Sequence, residues 1–288
     1  MPDREPTIRS RELGEGLRVA MEKAGLTGAE VARLLDWSPS WVSRLLTGRR
    51  GCTEADVGSF LGICRVRGKE RARLMALVHE QNTPGWLQQH GSGLPKQLVT
   101  LIDHENKATA ISFFQSVIIP GILQTGEYAR AIISGNVNVP ASEVEDRVAA
   151  RLARQSLFSR ERPARFAFFL HELVLHLPVG GSQVMSDQLH HLLRLSVRPY
   201  ITLRVVPAAL GAYASTAGPF TFMEFADFKP VTYLESETSS LFLEKIDETQ
   251  AYRNILSALA ETALAEGQSR ELIGTIATTR YEEHDDQS

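Results

Sequence analysis

Residues 26–50 read LTGAEVARLLDWSPSWVSRLLTGRR, and this stretch decides the fold of the N-terminal part of the chain. Apolar residues recur there at i, i+3 and i+4 in two successive runs, which predicts two short amphipathic helices. The inward-facing residues are predicted to be Val31, Leu34 and Leu35 in the first helix and Val42, Leu45 and Leu46 in the second. Between the runs, Asp36 tolerates a left-handed turn, Ser38 can cap the second helix, and Pro39 fits its first position. The stretch therefore predicts a helix-turn-helix whose second helix starts at Pro39.

The outward face of the second helix is polar and basic, as expected of a helix that enters the major groove of DNA. Arg44 can form a bidentate pair with a guanine edge, and Ser40 and Ser43 are short enough to let the helix approach closely. Arg49 and Arg50 follow the helix as two cations suited to phosphate. The predicted DNA-binding residues are Thr27, Ser38, Ser40, Trp41, Ser43, Arg44, Arg49 and Arg50. A pair of surface helices in an all-helical protein is the alternative. DNA binding is favoured because a turn, a helix cap, a polar helix face and two following arginines occur in the order that a helix-turn-helix requires.

The same stretch resembles the Xre group of helix-turn-helix regulators, over about the first 80 residues. The matching residues are Ala32, Asp36-Trp37-Ser38, Val42-Ser43-Arg44 and Gly48-Arg49-Arg50. The resemblance implies the five-helix domain of phage repressors, and three further apolar runs, one opened by a capping box of Thr53 and Asp56, supply the remaining helices. Gly28, Trp41 and Leu46 depart from the residues common in the group, so no base preference carries over.

The charge of the chain is unevenly divided. Residues 1–80 contain 14 Lys+Arg and 11 Asp+Glu, a net charge of +3, whereas the whole chain carries −3, so residues 81–288 carry −6. The basic part is thus the predicted DNA-binding part. Because affinity for DNA rises with the number of phosphates neutralised, one such domain should bind weakly. We therefore expect a homodimer that binds double-stranded DNA.

Composition and cysteine usage are those of an ordinary soluble protein with two domains. No apolar run approaches the roughly 18 residues of a membrane span, and the N-terminal segment has no signal-peptide apolar stretch. We expect a cytoplasmic protein without a membrane partner, metal or other cofactor. Cys52 and Cys64 are the only cysteines, and their spacing is not that of a zinc site. Both are expected to be reduced and buried, with a redox-switch disulfide as the alternative.

Residues 82–281 are predicted to form a separate α/β or α+β domain, because the helical pattern is interrupted at residues 82–85. Helical patterns lie at 94–104, 126–134, 142–159, 182–197 and 245–266, and strand-like runs at 111–117, 165–170, 201–206, 220–225 and 231–235. The polar segment 282–288 is predicted to be a disordered tail. The expected fold class is therefore mixed: an all-α, five-helix, phage-repressor-like helix-turn-helix domain at 1–81, followed by the α/β or α+β domain.

Three segments of the second domain are similar to the large C-terminal domain of actinobacterial Xre regulators of the WhiJ and antitoxin-like kind. They are PGILQTGEYAR at 120–130, GGSQVM at 180–185 and LRVVP at 203–207. The resemblance implies a transcription regulator whose C-terminal domain serves dimerisation and binding of a small partner protein, often encoded nearby. Tyr128, Arg130 and, in the loop 211–218, Tyr213 are the candidate ligand or partner contacts. Simple turns and helix packing are the alternative interpretation of these segments.

An enzyme is the rival class, and only the segment from His171 to His176 suggests one. The two histidines are five residues apart, which turns them about 140° apart on a helix and to opposite faces of a strand. We therefore expect buried strand and turn there, and the chain contains no nucleophile elbow, P-loop or GxGxxG. The chain is interpreted as a non-enzymatic, sequence-specific transcriptional regulator, with repression the expected mode, controlled through a small protein partner. A metabolite-sensing regulator is the alternative.

Overall fold

A computed structural model of the protein describes residues 6–80, 86–89 and 96–282. In the first range, five helices follow one another: α1 (Ile8–Lys23), α2 (Gly28–Leu35), α3 (Pro39–Leu46), α4 (Glu54–Ile63) and α5 (Gly68–Glu80). Their inward side chains form a shared apolar core that includes Leu13, Leu17, Val31, Val42, Leu45, Phe60, Leu61 and Leu74. The all-α part of the predicted fold class is confirmed. The predicted linker at 82–85 and residues 283–288 of the predicted tail lie outside the described residues, whereas Glu282, the first residue of the predicted tail, ends a π-helix at Ala277–Glu282.

Side-chain caps mark where α2 and α3 begin. The Glu30 N–H donates to Thr27 Oγ1 (3.3 Å), and the Thr27 N–H donates to the Glu30 carboxylate (2.8 Å), which completes a reciprocal capping box. α3 begins at Pro39, as predicted, and Ser38 Oγ accepts from the Trp41 N–H (3.2 Å). Each cap is worth about 1 kcal/mol because it satisfies a backbone donor that the helix leaves unpaired. Local sequence therefore fixes both starts.

The inward face of α2 differs from the prediction. Val31 and Ala32 are buried, whereas Leu34 is 50% exposed, so its assignment to the inward stripe is wrong. Successive helix residues are about 100° apart, which places Leu34 about 110° from a buried face centred between Val31 and Ala32. α2 then ends at Asp36, whose φ of 53° is the predicted left-handed turn conformation.

The two cysteines flank α4. The predicted capping box of Thr53 and Asp56 is present at the start of this helix. Cys64 is buried at its end, but Cys52 is only half-buried, so the prediction of burial is wrong for Cys52. Cys52 lies before the helix, where it packs against the edge of the core and is only partly covered. Neither cysteine forms a disulfide, in keeping with the reduced state expected from the sequence.

The second domain is built on one seven-stranded sheet with strand order β1-β7-β6-β5-β2-β3-β4. The strands are β1 (Trp86–Gln89), β2 (Ala110–Gln115), β3 (Arg165–His171), β4 (Ile201–Val206), β5 (Phe220–Glu224), β6 (Val231–Glu235) and β7 (Ser239–Leu243). β2, β3 and β4 run parallel, and the other neighbouring pairs run antiparallel. The helices are α6 (Lys96–Lys107), α7 (Gly126–Ser134), α8 (Val144–Ala153), α9 (Leu173–His176), α10 (Ser182–Ser196), α11 (Ile246–Thr262) and α12 (Glu266–Ile276). The predicted mixed architecture is confirmed.

Helices cover both faces of this sheet. Phe113 and Phe114 of β2 point to opposite faces because strand side chains alternate. Phe113 joins the large core shared with α10 and α12, whereas Phe114 joins a smaller core under α11. Arg204 of β4 secures α11: its Nε donates to the Leu264 carbonyl (2.8 Å) and its Nη1 to the Ala260 carbonyl (2.7 Å). Carbonyls that the C-terminus of α11 leaves without helical partners are thereby satisfied.

Several elements of the second domain depart from the sequence patterns. β7 and α12 were not predicted, because β7 is short and starts with two serines and α12 contains two glycines, which weaken a helical signal. The predicted helix 142–159 is divided: α8 is flanked by short 3-10 helices at Ala141–Glu143 and Arg154–Ser159. The strand and turn expected at 171–176 are a strand end at His171 followed by the short helix α9.

The two domains meet at α1, and we call this contact the interdomain joint: Ile8, Arg11, His104, Phe228 and Glu244. The Ile8 N–H donates to Glu244 Oε2 (2.9 Å). The Arg11 guanidinium carbon lies 4.6 Å from the Phe228 ring centroid, and Arg11 Nη2 lies 3.4 Å from His104 Nε2. All but Phe228 are buried, so α1 is fixed against the second domain by polar contacts that water does not replace.

The ionisation of the interdomain joint follows from its burial. Burial, reinforced by the charge of Arg11, lowers the pKa of His104 to about 3, so the imidazole is neutral at neutral pH. Its Nδ1 lies 2.7 Å from the Thr100 carbonyl, which places the proton on Nδ1 and leaves Nε2 to accept from Arg11. Burial also lowers the pKa of Arg11 to about 10, against the attraction of Glu244 and Asp103. The domains are therefore joined by a contact between the charged guanidinium of Arg11 and the neutral imidazole of His104.

Candidate DNA interface

α3 turns a polar face to solvent. Val42 and Leu45 are buried as predicted, and Leu46 is half-buried. Exposed on the opposite face are Ser40, Ser43 and Thr47, with Arg44 half-buried beside them. Arg44 Nε donates to the Ser40 carbonyl (3.2 Å), which holds the guanidinium along the outer face of the helix. The structure thus brings together the side chains that were predicted to read bases, on one helix face free of large apolar groups.

Trp41 lies in a stack of side chains. Its ring centroid is 3.9 Å from that of Trp37, and the Arg50 guanidinium carbon lies 5.4 Å from the Trp41 ring. Sequence reasoning did not assign Trp37 to the site, although two tryptophans four residues apart across a turn are a usable signal. The stack holds Arg50 at the end of α3 through a cation–π contact. A direct contact between Trp41 and DNA stays a prediction.

Thr27 and Ser38 stand at the N-termini of α2 and α3, where backbone N–H groups favour anions. Their hydroxyls are already used inside the caps, since Thr27 Oγ1 donates to Glu30 Oε2 (2.8 Å) and Ser38 Oγ accepts from the Trp41 N–H. The Thr27 N–H holds the pKa of Glu30 below its usual value, so a carboxylate stays at this end of α2. Any phosphate contact here would therefore use mainly backbone N–H groups.

Arg49 lies beside a loop of the second domain. It is exposed, and its Nη2 is 3.8 Å from Oδ1 of Asp227, in the loop between β5 and β6. Both residues line an open cleft of about 390 Å³, together with Pro6 and the other residues of 226–229. Nothing in the sequence pattern brings Asp227 next to the end of α3. The structure therefore places an acidic side chain of the second domain beside a predicted phosphate contact.

The three candidate contacts of the second domain lie in different surroundings. Tyr128 is fully buried, and its hydroxyl accepts from the Ile119 N–H (3.2 Å). Arg130 is half-buried and paired with Glu145 through its Nε (2.7 Å). Tyr213 is half-buried with its ring centroid 4.9 Å from that of His171. The structure does not bring the three into one site, and a binding role for each stays a prediction.

Two buried glutamines hold the backbone conformation at the start of the segment 120–130. Gln124 Nε2 donates to the Ile119 carbonyl (2.7 Å), and Gln188 Nε2 donates to the Leu123 carbonyl (2.8 Å). Gln188 Oε1 also accepts from the Thr125 N–H (2.7 Å). Both glutamines are completely inaccessible to solvent. Since unpaired backbone groups are costly inside a protein, these amides fix the turn between β2 and α7.

The described ranges contain neither a metal-binding cluster nor a membrane-spanning helix. Within 6–80, 86–89 and 96–282, no three His, Cys, Asp or Glu side chains are grouped so that they could hold a metal ion. His171 Nδ1 accepts from the Leu173 N–H (3.2 Å), and His176 Nε2 lies 3.6 Å from Glu172. The described helices also include none with the length and apolar character needed to cross a membrane.

Comparison with known proteins assigns both parts of the chain. Residues 12–74 match a family model described as a helix-turn-helix domain, and residues 98–275 match a domain of unknown function, DUF5753. No curated protein matches the chain. A solved structure of TrmBL2, described as an archaeal chromatin protein with a novel mode of DNA binding, is 12% identical, with 83% of this chain and 88% of that chain covered. The TM-score is 0.30, too low to carry an argument.

Proposed function

The chain belongs to the DUF5753 family and carries an N-terminal helix-turn-helix domain, and on that premise we propose that it is a sequence-specific DNA-binding transcriptional regulator. The observation that carries the proposal is the face of α3. Ser40, Ser43, Thr47 and Arg44 line it, and Arg49 and Arg50 follow it. Short polar side chains with one guanidinium suit a major groove, and the two following arginines suit the phosphates beside it.

Dimerisation is part of the proposal. A domain of net charge +3 neutralises few phosphates, so tight binding requires a second copy. A twofold dimer would place two α3 helices in successive major grooves and would prefer an inverted repeat with half-sites about 34 to 36 Å apart. Repression would follow from occupation of a promoter.

Control by the second domain is supported by two of its contacts with the DNA-binding domain. The interdomain joint holds α1, and Asp227 lies beside Arg49. A molecule that binds the DUF5753 domain could therefore alter either the position of α3 or the availability of Arg49. A small partner protein is the first candidate for that molecule, and a metabolite is the second.

The test is selection of bound duplexes from a random DNA library by the full chain. We expect enrichment of an inverted repeat, and light scattering on the purified protein should give the mass of a dimer. Enrichment of a single half-site by a monomeric chain would support sequence-specific DNA binding but contradict the proposed dimer. Recovery of no common sequence, with binding to all duplexes alike, would contradict a sequence-specific regulator.

A further inference from the structure

The chain just after α3 packs directly against the start of α1. Gly48 follows α3 with a φ of 72°, and a Cβ added there would lie 2.9 Å from the Ser10 carbonyl oxygen. A Cβ added at Gly14 would lie 2.8 Å from the Leu46 carbonyl carbon. Neither position has room for a side chain, so the two glycines allow α1 and the end of α3 to meet backbone against backbone. Contacts that fix α1 therefore also fix the segment that carries Arg49.

The loop between β5 and β6 is fixed on α1 by two phenylalanines. The Arg11 guanidinium carbon lies 5.3 Å from the Phe225 ring centroid and 4.6 Å from that of Phe228. The two ring centroids are 6.0 Å apart and the rings meet edge to face, so the guanidinium packs against both of them. Arg11 is itself buried in the interdomain joint. The loop is thereby held with Asp227 and Lys229, the two neighbours of Phe228, beside the end of α3.

The open cleft of about 390 Å³ at this place is lined from both domains. Arg49 belongs to the DNA-binding domain, whereas Asp227 and Lys229 belong to the second domain. Lys229 is half-buried and the other two are exposed, so the cleft is open to water. Two cations and one carboxylate give the lining a net charge of +1, although residues 81–288 together carry −6. The cleft is therefore a place where an acidic domain presents positive charge next to the predicted recognition helix.

We propose that this cleft binds one backbone phosphate of the DNA, so that Lys229 makes the second domain part of the DNA interface. A helix that lies in the major groove has backbone phosphates beside its ends, and Arg49 stands at such an end. The phosphate replaces Asp227 as the partner of Arg49, and Lys229 contributes a second positive charge. The DNA surface then extends beyond residues 12–74, which match the helix-turn-helix model. This inference rests on the proposed DNA-binding function and adds a contact to it.

The first experiment measures the affinity of the full chain for selected and random duplexes at several salt concentrations. Lys229→Gln should weaken binding to both alike, and the slope of log affinity against log salt should decrease in magnitude by about 1. Lys229→Arg, which keeps the charge, should show at most half of this decrease. Lys245→Gln is the matched control, because it removes an exposed lysine of the same domain that does not line the cleft, and its slope should equal that of the unchanged protein.

The second experiment asks whether Lys229 and Arg49 hold the same phosphate. Losses of affinity at independent sites multiply, whereas losses at two groups that share a partner do not. The double variant of Arg49→Gln and Lys229→Gln should therefore lose less affinity than the product of the two separate fold-losses. Arg49→Gln combined with Lys245→Gln should lose the product.

The outcomes separate this inference from the proposed function. An unchanged slope in Lys229→Gln, or an equal decrease in Lys245→Gln, would overturn the inference while DNA binding stands, and so would fold-losses of Arg49→Gln and Lys229→Gln that multiply. Failure of the unchanged protein to bind any duplex at any salt concentration would overturn the proposed function itself.

A gain of charge tests the cleft if circular dichroism shows that Lys229→Gln does not fold. Ala226 is exposed and lines the cleft, so Ala226→Lys should increase the magnitude of the salt slope by about 1. Ala141→Lys adds the same charge at an exposed position of the second domain outside the cleft and should increase it less. Equal slopes in these two variants would overturn the inference.

Discussion

The arginines at the end of α3 and those beside α6 stand in opposite surroundings. Arg49 is exposed, and its Nη2 lies 3.8 Å from the carboxylate of an even more exposed Asp227. Arg154 is only 11% exposed and meets a fully buried Glu105. Water can replace the first partner at little cost, so Arg49 is able to exchange Asp227 for a phosphate. Water cannot replace the second, so Arg154 fixes the 3-10 helix after α8 against α6.

The largest expected effect comes from breaking the buried pair. Glu105→Leu leaves Arg154 charged and unpaired inside the protein, and the free energy of unfolding should fall by about 3 to 5 kcal/mol in urea titrations. Glu145→Leu, which breaks the largely exposed pair with Arg130, should lower the free energy of unfolding far less, because water screens both charges. Equal losses in the two variants would show that burial does not distinguish these pairs.

Acid should weaken the interdomain joint. The folded pKa of His104, about 3, lies below its ordinary value of 6.5, so the unfolded chain takes up a proton between these values and the folded chain does not. Stability is therefore fully present above pH 6.5 and falls as the pH decreases toward 3, by about 2 kcal/mol at pH 5. His104→Gln should remove this part of the pH dependence of unfolding. His79→Gln, at an exposed pair with Glu54, should retain it, and a wild-type slope in His104→Gln would contradict the assignment.

At the DNA interface, Arg44→Ala tests base reading. Arg44 lies away from buried Val42 and Leu45, so the fold should survive while binding to the selected sequence weakens by about 1 to 3 kcal/mol. Circular dichroism checks the fold, and competition between selected and random duplexes measures preference. Unchanged affinity and preference would remove Arg44 from the base-reading face.

Replacing both Arg49 and Arg50 with Ala should weaken binding to all sequences alike. Each phosphate contact contributes nearly one to the slope of log affinity against log salt, so the slope should decrease in magnitude by about 1 to 2. Titrations at several salt concentrations measure it. A loss confined to particular base changes would instead mean that these arginines read sequence.

The smallest effect is expected at Asp227. Asp227→Asn removes a carboxylate beside Arg49, so affinity for DNA should rise, by at most about fivefold at low salt. Glu271→Gln changes the net charge equally on the exposed side of α12 and serves as the control. Equal increases in both variants would mean that only net charge matters.

The elements that could be predicted from the sequence and those that could not differ in how far apart along the chain their contacts lie. The caps at Thr27 and Ser38 span three residues, and these local bonds made the starts of α2 and α3 predictable. β7 could not be predicted, because a short serine-led strand is stabilised by pairing with β6 and β1 rather than by its own pattern. The candidate DNA residues all lie between Thr27 and Arg50, whereas the hydrogen bond from Gln188 to the Leu123 carbonyl spans 65 residues.

The sequence by itself determined the local framework: helix caps, the left-handed turn at Asp36, the inward stripe of α3 and the polar face opposite. Tertiary structure alone decided which charges meet, because Arg11 and His104 are 93 residues apart and Arg49 and Asp227 are farther still. Local structure depends on backbone hydrogen bonds and side-chain periodicity that neighbouring residues specify. The ionic surroundings of a side chain depend on burial and on distant partners, which only the packed chain brings together.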